Sequence, residues 1–121
     1  MKIERFEEIE AWKEARKLVK EIYSCFSKCQ DFAFRGQIQR AGISIMSNIA
    51  EGFERNTNKE FINFLSIARG SLAEVKSLLY TANDIGYIDK PIFDQIFARI
   101  LAVNGLLNDF ISYLKDHLKR K

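Results

Sequence analysis

Apolar residues recur every three or four positions along almost the whole of this chain, and very little in it can break a helix. In 121 residues there is one proline, Pro91, and there are six glycines. Proline removes a backbone donor and clashes with the preceding turn, and glycine costs a helix about 1 kcal/mol relative to alanine. Their scarcity predicts long helices, and no segment alternates in the two-residue pattern of a half-buried strand. The apolar share of 47% and charged share of 29% are ordinary for a globular domain and argue against disorder. A single domain over 1–121 is expected, long enough to bury a core.

Four helices follow from the periodicity and its punctuation. The first is expected from Glu8 to Lys28. Ile9, Trp12, Arg16, Val19, Tyr23 and Phe26 form its main stripe, Ala11, Ala15, Leu18, Ile22 and Cys25 lie beside it, and Trp12 reads as a core anchor. Gln30–Phe34 reads as a connector, with Phe32 and Phe34 closing the end of the bundle. The second helix is expected from near Phe34–Gln37 to Phe53, with Ala41, Ile45, Ile49 and Phe53 on its greasy face. Thr57 followed by Glu60 is a capping box that starts a third helix, which ends near Ile85 with Gly86 as its left-handed stop. Asp89 and Pro91 start a fourth, which runs to about Leu118. Helices of roughly 20 to 28 residues would be matched rods of about 30 to 42 Å. Short connectors make sequential helices antiparallel neighbours. The expected fold is all-α, an antiparallel up-down-up-down four-helix bundle.

Several function classes are disfavoured. No apolar run reaches the roughly 20 residues of a membrane span. The opening Met-Lys-Ile-Glu-Arg-Phe-Glu-Glu carries acids where a signal peptide is apolar, so a cytoplasmic protein is expected. Cys25 and Cys29 lie four apart on a predicted helix and read as buried, reduced thiols. The only histidine, His117, sits near the end of the chain and reads as exposed. No catalytic residue, cofactor site or metal site is therefore expected. A hydrolytic triad lacks its base, nucleotide-binding loops need strands, and di-iron bundles need two Glu-x-x-His pairs. A carboxylate dyad of Glu51 and Glu74 is the one acid/base arrangement that adjacent helices would permit. The expectation is a protein that is not an enzyme.

The middle helices carry an unusual surface. On the second, Arg40, Ser44, Ser47, Asn48, Glu51 and Arg55 form a small or polar row at helical spacing. On the third, Asn63, Ser66, Gly70, Ser71, Glu74 and Ser77 form another. Solvent faces usually carry long charged side chains, so small rows indicate close packing by something else. Arg40, Arg55, Lys59 and Arg69 lie on or beside these rows and are candidate nucleic-acid contacts. Net charge is only +3, with Lys115, Lys119, Arg120 and Lys121 crowding the C-terminal end, but assembly would multiply such charges around an axis. The other reading is that each arginine pairs with a neighbouring acid.

Ser44-Ile-Met-Ser47-Asn48-Ile49-Ala50-Glu51-Gly52, followed by Arg55, resembles the S-x-x-S-N-I-A-E-G-x-x-R signature of the 23S rRNA intervening-sequence family of four-helix bundles. Phe61, Phe64-Leu65, Ala68, Gly70-Ser71 and Glu74 extend the resemblance, and Phe6, Trp12 and Ala15 fit the family's opening helix. The resemblance implies a homopentamer in which Ser44, Ser47, Asn48, Glu51, Gly52, Arg55, Ser71 and Glu74 shape contacts between helices or subunits. It also implies kinship with the accessory variability protein of diversity-generating retroelements, a pentamer that binds a reverse transcriptase and nucleic acid. Two functions follow: an oligomeric module that contacts RNA or a ribonucleoprotein, and a structural adaptor whose partner is a protein, with no nucleic-acid role. If the polar row is the assembly surface, Glu51→Ala unpairs a buried partner and Gly52→Leu overlaps a neighbouring subunit, so each weakens assembly.

Overall fold

The computed structural model describes residues 3–119 and is helical throughout, with no strand among them. A single 3-10 turn, Phe6–Glu8, leads into α1 (Glu10–Cys25), followed by α2 (Phe32–Phe53), α3 (Asn58–Asp84) and α4 (Lys90–Lys119). Of the C-terminal cations, Lys115 and Lys119 fall within α4, whereas Arg120 and Lys121 lie outside the described residues.

Local chemistry sets the boundaries. Thr57 Oγ1 accepts from the Glu60 amide at 3.1 Å, the expected cap of α3. Gly86 closes that helix at φ +83°, and the Tyr87 amide reaches back to the Ala82 carbonyl at 2.8 Å. Asp89 Oδ1 accepts from the Ile92 amide at 3.1 Å and caps α4. Two boundaries differ from the sequence reading. The first helix stops at Cys25, not Lys28, because Ser27 Oγ donates to the Ser24 carbonyl at 3.0 Å and bends the chain into a turn. The second begins at Phe32, earlier than expected, because Asp31 Oδ1 accepts from the Phe34 amide at 3.1 Å. Tyr87 donates its hydroxyl to the other oxygen of Asp31 at 2.6 Å. Phe34 packs between Phe26 and Tyr87, as a lid on the bundle should, but Phe32 is 66% exposed and closes nothing.

The helices form a ring, each touching the next and α4 returning to α1. Phe26 meets Phe34 and Gly42 sits beside Val19 and Ile22 across α1 and α2. Ser44 meets Ser71, and Gly52 meets Phe61 and Phe64, across α2 and α3. Phe61 meets Phe110 and Tyr80 meets Phe93 across α3 and α4. Arg99 and Gln95 of α4 bond Glu21 of α1, and Arg99 also bonds Glu14. On every seam rising numbers on one helix meet falling numbers on the other, so neighbours are antiparallel. The helices are not equal rods. At 1.5 Å per residue, the 16 residues of α1 span about 24 Å and the 30 of α4 about 45 Å. The turn at Phe6–Glu8 extends the short helix and packs against α2.

The core is apolar, with no buried polar or charged side chain among the described residues. Ala41, Ile45 and Ile49 of α2 are buried as their spacing predicts, and Leu65, Ala68, Leu72 and Val75 meet them from α3. Around α1 the main stripe is buried only at its ends, Ile9 and Phe26, and the row beside it lies inside. Ala11, Ala15, Leu18 and Ile22 are buried, whereas Trp12 and Val19 are half-buried and Arg16 and Tyr23 are exposed. Small side chains let α1 sit close to its neighbours. Trp12 rests at the rim, edge-on to Phe6 at 5.2 Å and beneath the Arg16 guanidinium at 5.7 Å.

Candidate assembly and nucleic-acid surfaces

The signature residues of α2 divide into two sets. One set joins α2 to α3 within the chain. Ser44 Oγ and Ser71 Oγ lie 2.8 Å apart, and Asn48 Nδ2 donates to the Ser44 carbonyl at 2.8 Å and its hydroxyl at 3.1 Å. The asparagine thereby occupies the serine that bridges the helices. Gly52 is buried against α3. A Cβ added there would stand 2.7 Å from Phe64 Cβ and 2.8 Å from Phe61 Cδ1. The overlap expected between subunits thus falls first between two helices of one chain.

The other set faces outward. Ser47 and Glu74 are exposed, and Glu51 accepts from Arg55 Nη2 at 2.6 Å on an open helix surface. Glu51 therefore has a partner one turn away, not a buried one. The Arg55 guanidinium also lies over the Phe64 ring at 4.6 Å, a cation–π contact that steadies the pair. Glu51 and Glu74 form no dyad. Glu51 adjoins Gly52, which faces Phe61 and Phe64, whereas Glu74 lies at least ten residues farther along α3, about 15 Å away.

Each of the two helices also exposes an isoleucine. Ile43 is 42% exposed and Ile67 52%, Ile43 one turn from Ser47 and Ile67 one turn from Ser71. Gly70, next to Ser71, leaves open space where its side chain would be.

The candidate cations do not form one patch. Arg40 folds its guanidinium over Gly36 on α2. Lys59 is exposed in the first turn of α3. Arg69 turns to the other flank of α3 and donates to Asn108 Oδ1 of α4 at 3.0 Å. Among the described residues, none of these three enters an ion pair, whereas Arg55 does.

The remaining groups are structural in geometry. Cys25 and Cys29 are free and half-buried, less enclosed than expected, and burial pushes the Cys25 thiol above its ordinary range. His117 is half-buried, not exposed. Its ring lies 4.0 Å from that of Tyr113, and Nδ1 is 2.9 Å from the Tyr113 carbonyl. Among the described residues no three His, Cys, Asp or Glu side chains cluster as metal ligands, and no helix is long and apolar enough to cross a membrane. An open apolar groove of about 310 Å³ lies between the start of α1 and the end of α4, lined by Ile3, Ile9, Leu106, Phe110 and Tyr113.

Two arrangements escaped the sequence reading. Across α1 and α4, Arg99 bonds Glu21 at 3.1 Å and Glu14 at 3.0 Å, all three largely enclosed. The Glu14 carboxyl is held below its ordinary value by Lys17 first and Arg99 second. Glu14 and Glu21 stand seven apart, two turns on one face, which is the signal that could have found them. Across α3 and α4, Tyr80, Phe93 and Phe97 form an aromatic cluster beside Lys76, and the four-residue spacings Lys76–Tyr80 and Phe93–Phe97 marked it.

What this geometry defines is a four-helix bundle whose distinctive chemistry lies on faces between and outside its helices. The chain belongs to the 23S rRNA-intervening sequence protein family, whose family model matches residues 7–109. It is also similar to a solved structure from Bacteroides thetaiotaomicron, described as a protein of unknown function from the S23 ribosomal protein family. The two share 26% identity and a TM-score of 0.78, over 84% of this chain and 97% of that one. A search of curated proteins finds no match.

Proposed function

We propose that this chain is a non-enzymatic bundle that assembles with copies of itself, as a pentamer, and in that form binds RNA or a ribonucleoprotein. The observation that carries the reading is a pair of exposed isoleucines, Ile43 on α2 and Ile67 on α3, each one turn from a small signature residue, Ser47 and Ser71. Small residues allow a second helix to approach closely, and two isoleucines supply apolar area that water disfavours. The family name and the S23 ribosomal description of the neighbour support an RNA context. Arg40, Lys59 and Arg69 add to this, because an arginine or lysine without a carboxylate partner is free to meet phosphate. Repetition around a symmetry axis turns a formal charge of +3 per chain into a concentrated field.

Light scattering combined with gel shifts on structured RNA at low and moderate salt tests both halves. The expected result is an oligomer that shifts RNA in a salt-sensitive manner. An oligomer that binds no nucleic acid, but retains a host protein after nuclease treatment, would instead establish the adaptor reading.

A further inference from the structure

We propose that the α3–α4 face around Tyr80 is a binding strip for single-stranded RNA, with aromatic rings taking bases and Lys76 and Arg69 taking phosphates. The inference rests on the RNA-binding reading above and names the strand type and the surface. Phe93 and Phe97, one turn apart on α4, stack at 5.4 Å with 17° between their planes. Tyr80 of α3 leans on both, at 5.3 and 5.9 Å, and remains 47% exposed. The packing of the two phenylalanines fixes the tyrosine ring, so a base that stacks on it meets a surface already held in place.

The charges on this strip, like those of Arg40 and Lys59, have no carboxylate partner among the described residues. Lys76 sits with its ammonium 5.4 Å from the centre of the Phe97 ring, and no carboxylate pairs with it among the described residues. Arg69, seven residues earlier on α3, bonds only the neutral Asn108. Of the acids near the strip, Asp94 is taken by Lys90 at 3.0 Å, and Asp84, one turn beyond Tyr80, is exposed at its far end. From Arg69 to Tyr80 the strip is about 16 Å long at 1.5 Å per residue. Between its two ends, Leu72, Ala73, Ile100, Leu101 and Asn104 line a shallow groove with Arg69 and Lys76. Leu101, 51% exposed, adds apolar surface to it.

Cations interleaved with aromatic rings suit an unpaired strand, whose bases turn outward to stack while its phosphates follow the charge. A duplex presents phosphates but keeps its bases stacked on each other, so Tyr80 would contribute nothing to holding it. A protein partner would have to bring a carboxylate to each cation to avoid burying it unpaired, whereas a nucleic-acid strand carries phosphates along its whole length.

Fluorescence anisotropy with a labelled RNA of about 12 nucleotides, and a duplex of equal length, tests this at about 50 and 200 mM salt. The single strand is expected to bind more tightly than the duplex. Tyr80→Ala lowers single-strand affinity about 5- to 100-fold, while Tyr80→Phe retains it and duplex affinity stays unchanged. Lys76→Ala reduces the salt slope by about one. Thermal melting confirms that each variant folds. If Arg40→Ala with Lys59→Ala abolishes binding while Tyr80→Ala does not, the RNA-binding reading stands and this strip is overturned. Equal binding of both RNAs with no effect at Tyr80 also overturns it. Failure of the wild-type oligomer to bind any RNA overturns both. Loss of a host protein partner on Tyr80→Ala, with RNA binding intact, assigns the face to a protein and refutes the proposal.

Discussion

At Gly52 a side chain on α2 would run into α3, and the nearest atom in its way is Phe64 Cβ, which cannot rotate aside. Gly52→Ala should therefore destabilise the fold by about 1 to 3 kcal/mol, through displacement of one helix against the other. Gly70→Ala makes the opposite comparison. Its Cβ would meet open space, so the gain in helix propensity should raise stability by about 0.5 to 1 kcal/mol. Urea unfolding of the two variants checks both signs, and a neutral Gly52→Ala would remove the close-packing account of this signature residue. The sequence marked Gly52 as special and left its constraint open between helices and subunits. A glycine in a helical pattern reports that something is near without saying whether it belongs to the same chain. Glu51 follows the reading in which each arginine pairs with a neighbouring acid. Its Arg55 partner lies at a spacing that sequence shows plainly, yet exposure depends on which neighbour covers the helix.

At the scale of elements, the caps of α3 and α4 were legible because Thr57-x-x-Glu60 and Asp89 are local chemistry. Asp31 is equally local and was hidden by the two phenylalanines that follow it, which read as loop anchors. The α1 stripe was misjudged because periodicity gives two adjacent rows, and only the partners decide which is inside. Alanines won there because they bring helices closer than a tryptophan would. The α1–α4 seam is the least legible part, since its polar members are far apart in sequence. Arg99 serves two carboxylates there, and Arg99→Ala should cost about 1 to 2 kcal/mol, allowing for the partial exposure of the three groups. The same seam gives a pH dependence. Lys17 and then Arg99 hold the Glu14 carboxyl below its ordinary 4.5, so the folded state favours the ionised form. That stabilisation is present above 4.5 and disappears as pH falls through the depressed folded value. Melting temperature against pH should therefore decline below about 4.5, and Arg99→Ala should decline less steeply over that window. An identical slope in both proteins would show that the seam does not drive the acid response.

For the whole molecule, the four-helix ring was readable from turn signals and apolar spacing, because short connectors leave few ways to arrange sequential helices. The surfaces were not, since exposure of Ile43, Ile67 and Tyr80 is settled only when every helix has chosen its neighbours. Ile67→Lys places a long charged side chain on the outer surface of α3 while leaving the core untouched. It should reduce the assembled mass seen by light scattering, with helical content unchanged by circular dichroism. Unaltered mass in both Ile67→Lys and Ile43→Lys would exclude these isoleucines from the self-contact. The ring also sets an order of events in time. Three of its seams join helices consecutive in the chain, whereas the contacts of Arg99 and Gln95 with α1 close loops of 74 to 85 residues. Local seams cost little chain entropy to form, and the long closure is expected after the main barrier. Stopped-flow measurements on Arg99→Ala should then show faster unfolding with a nearly unchanged refolding rate. The α1–α4 seam would thus govern how long a folded molecule lasts, and have little part in how quickly it forms.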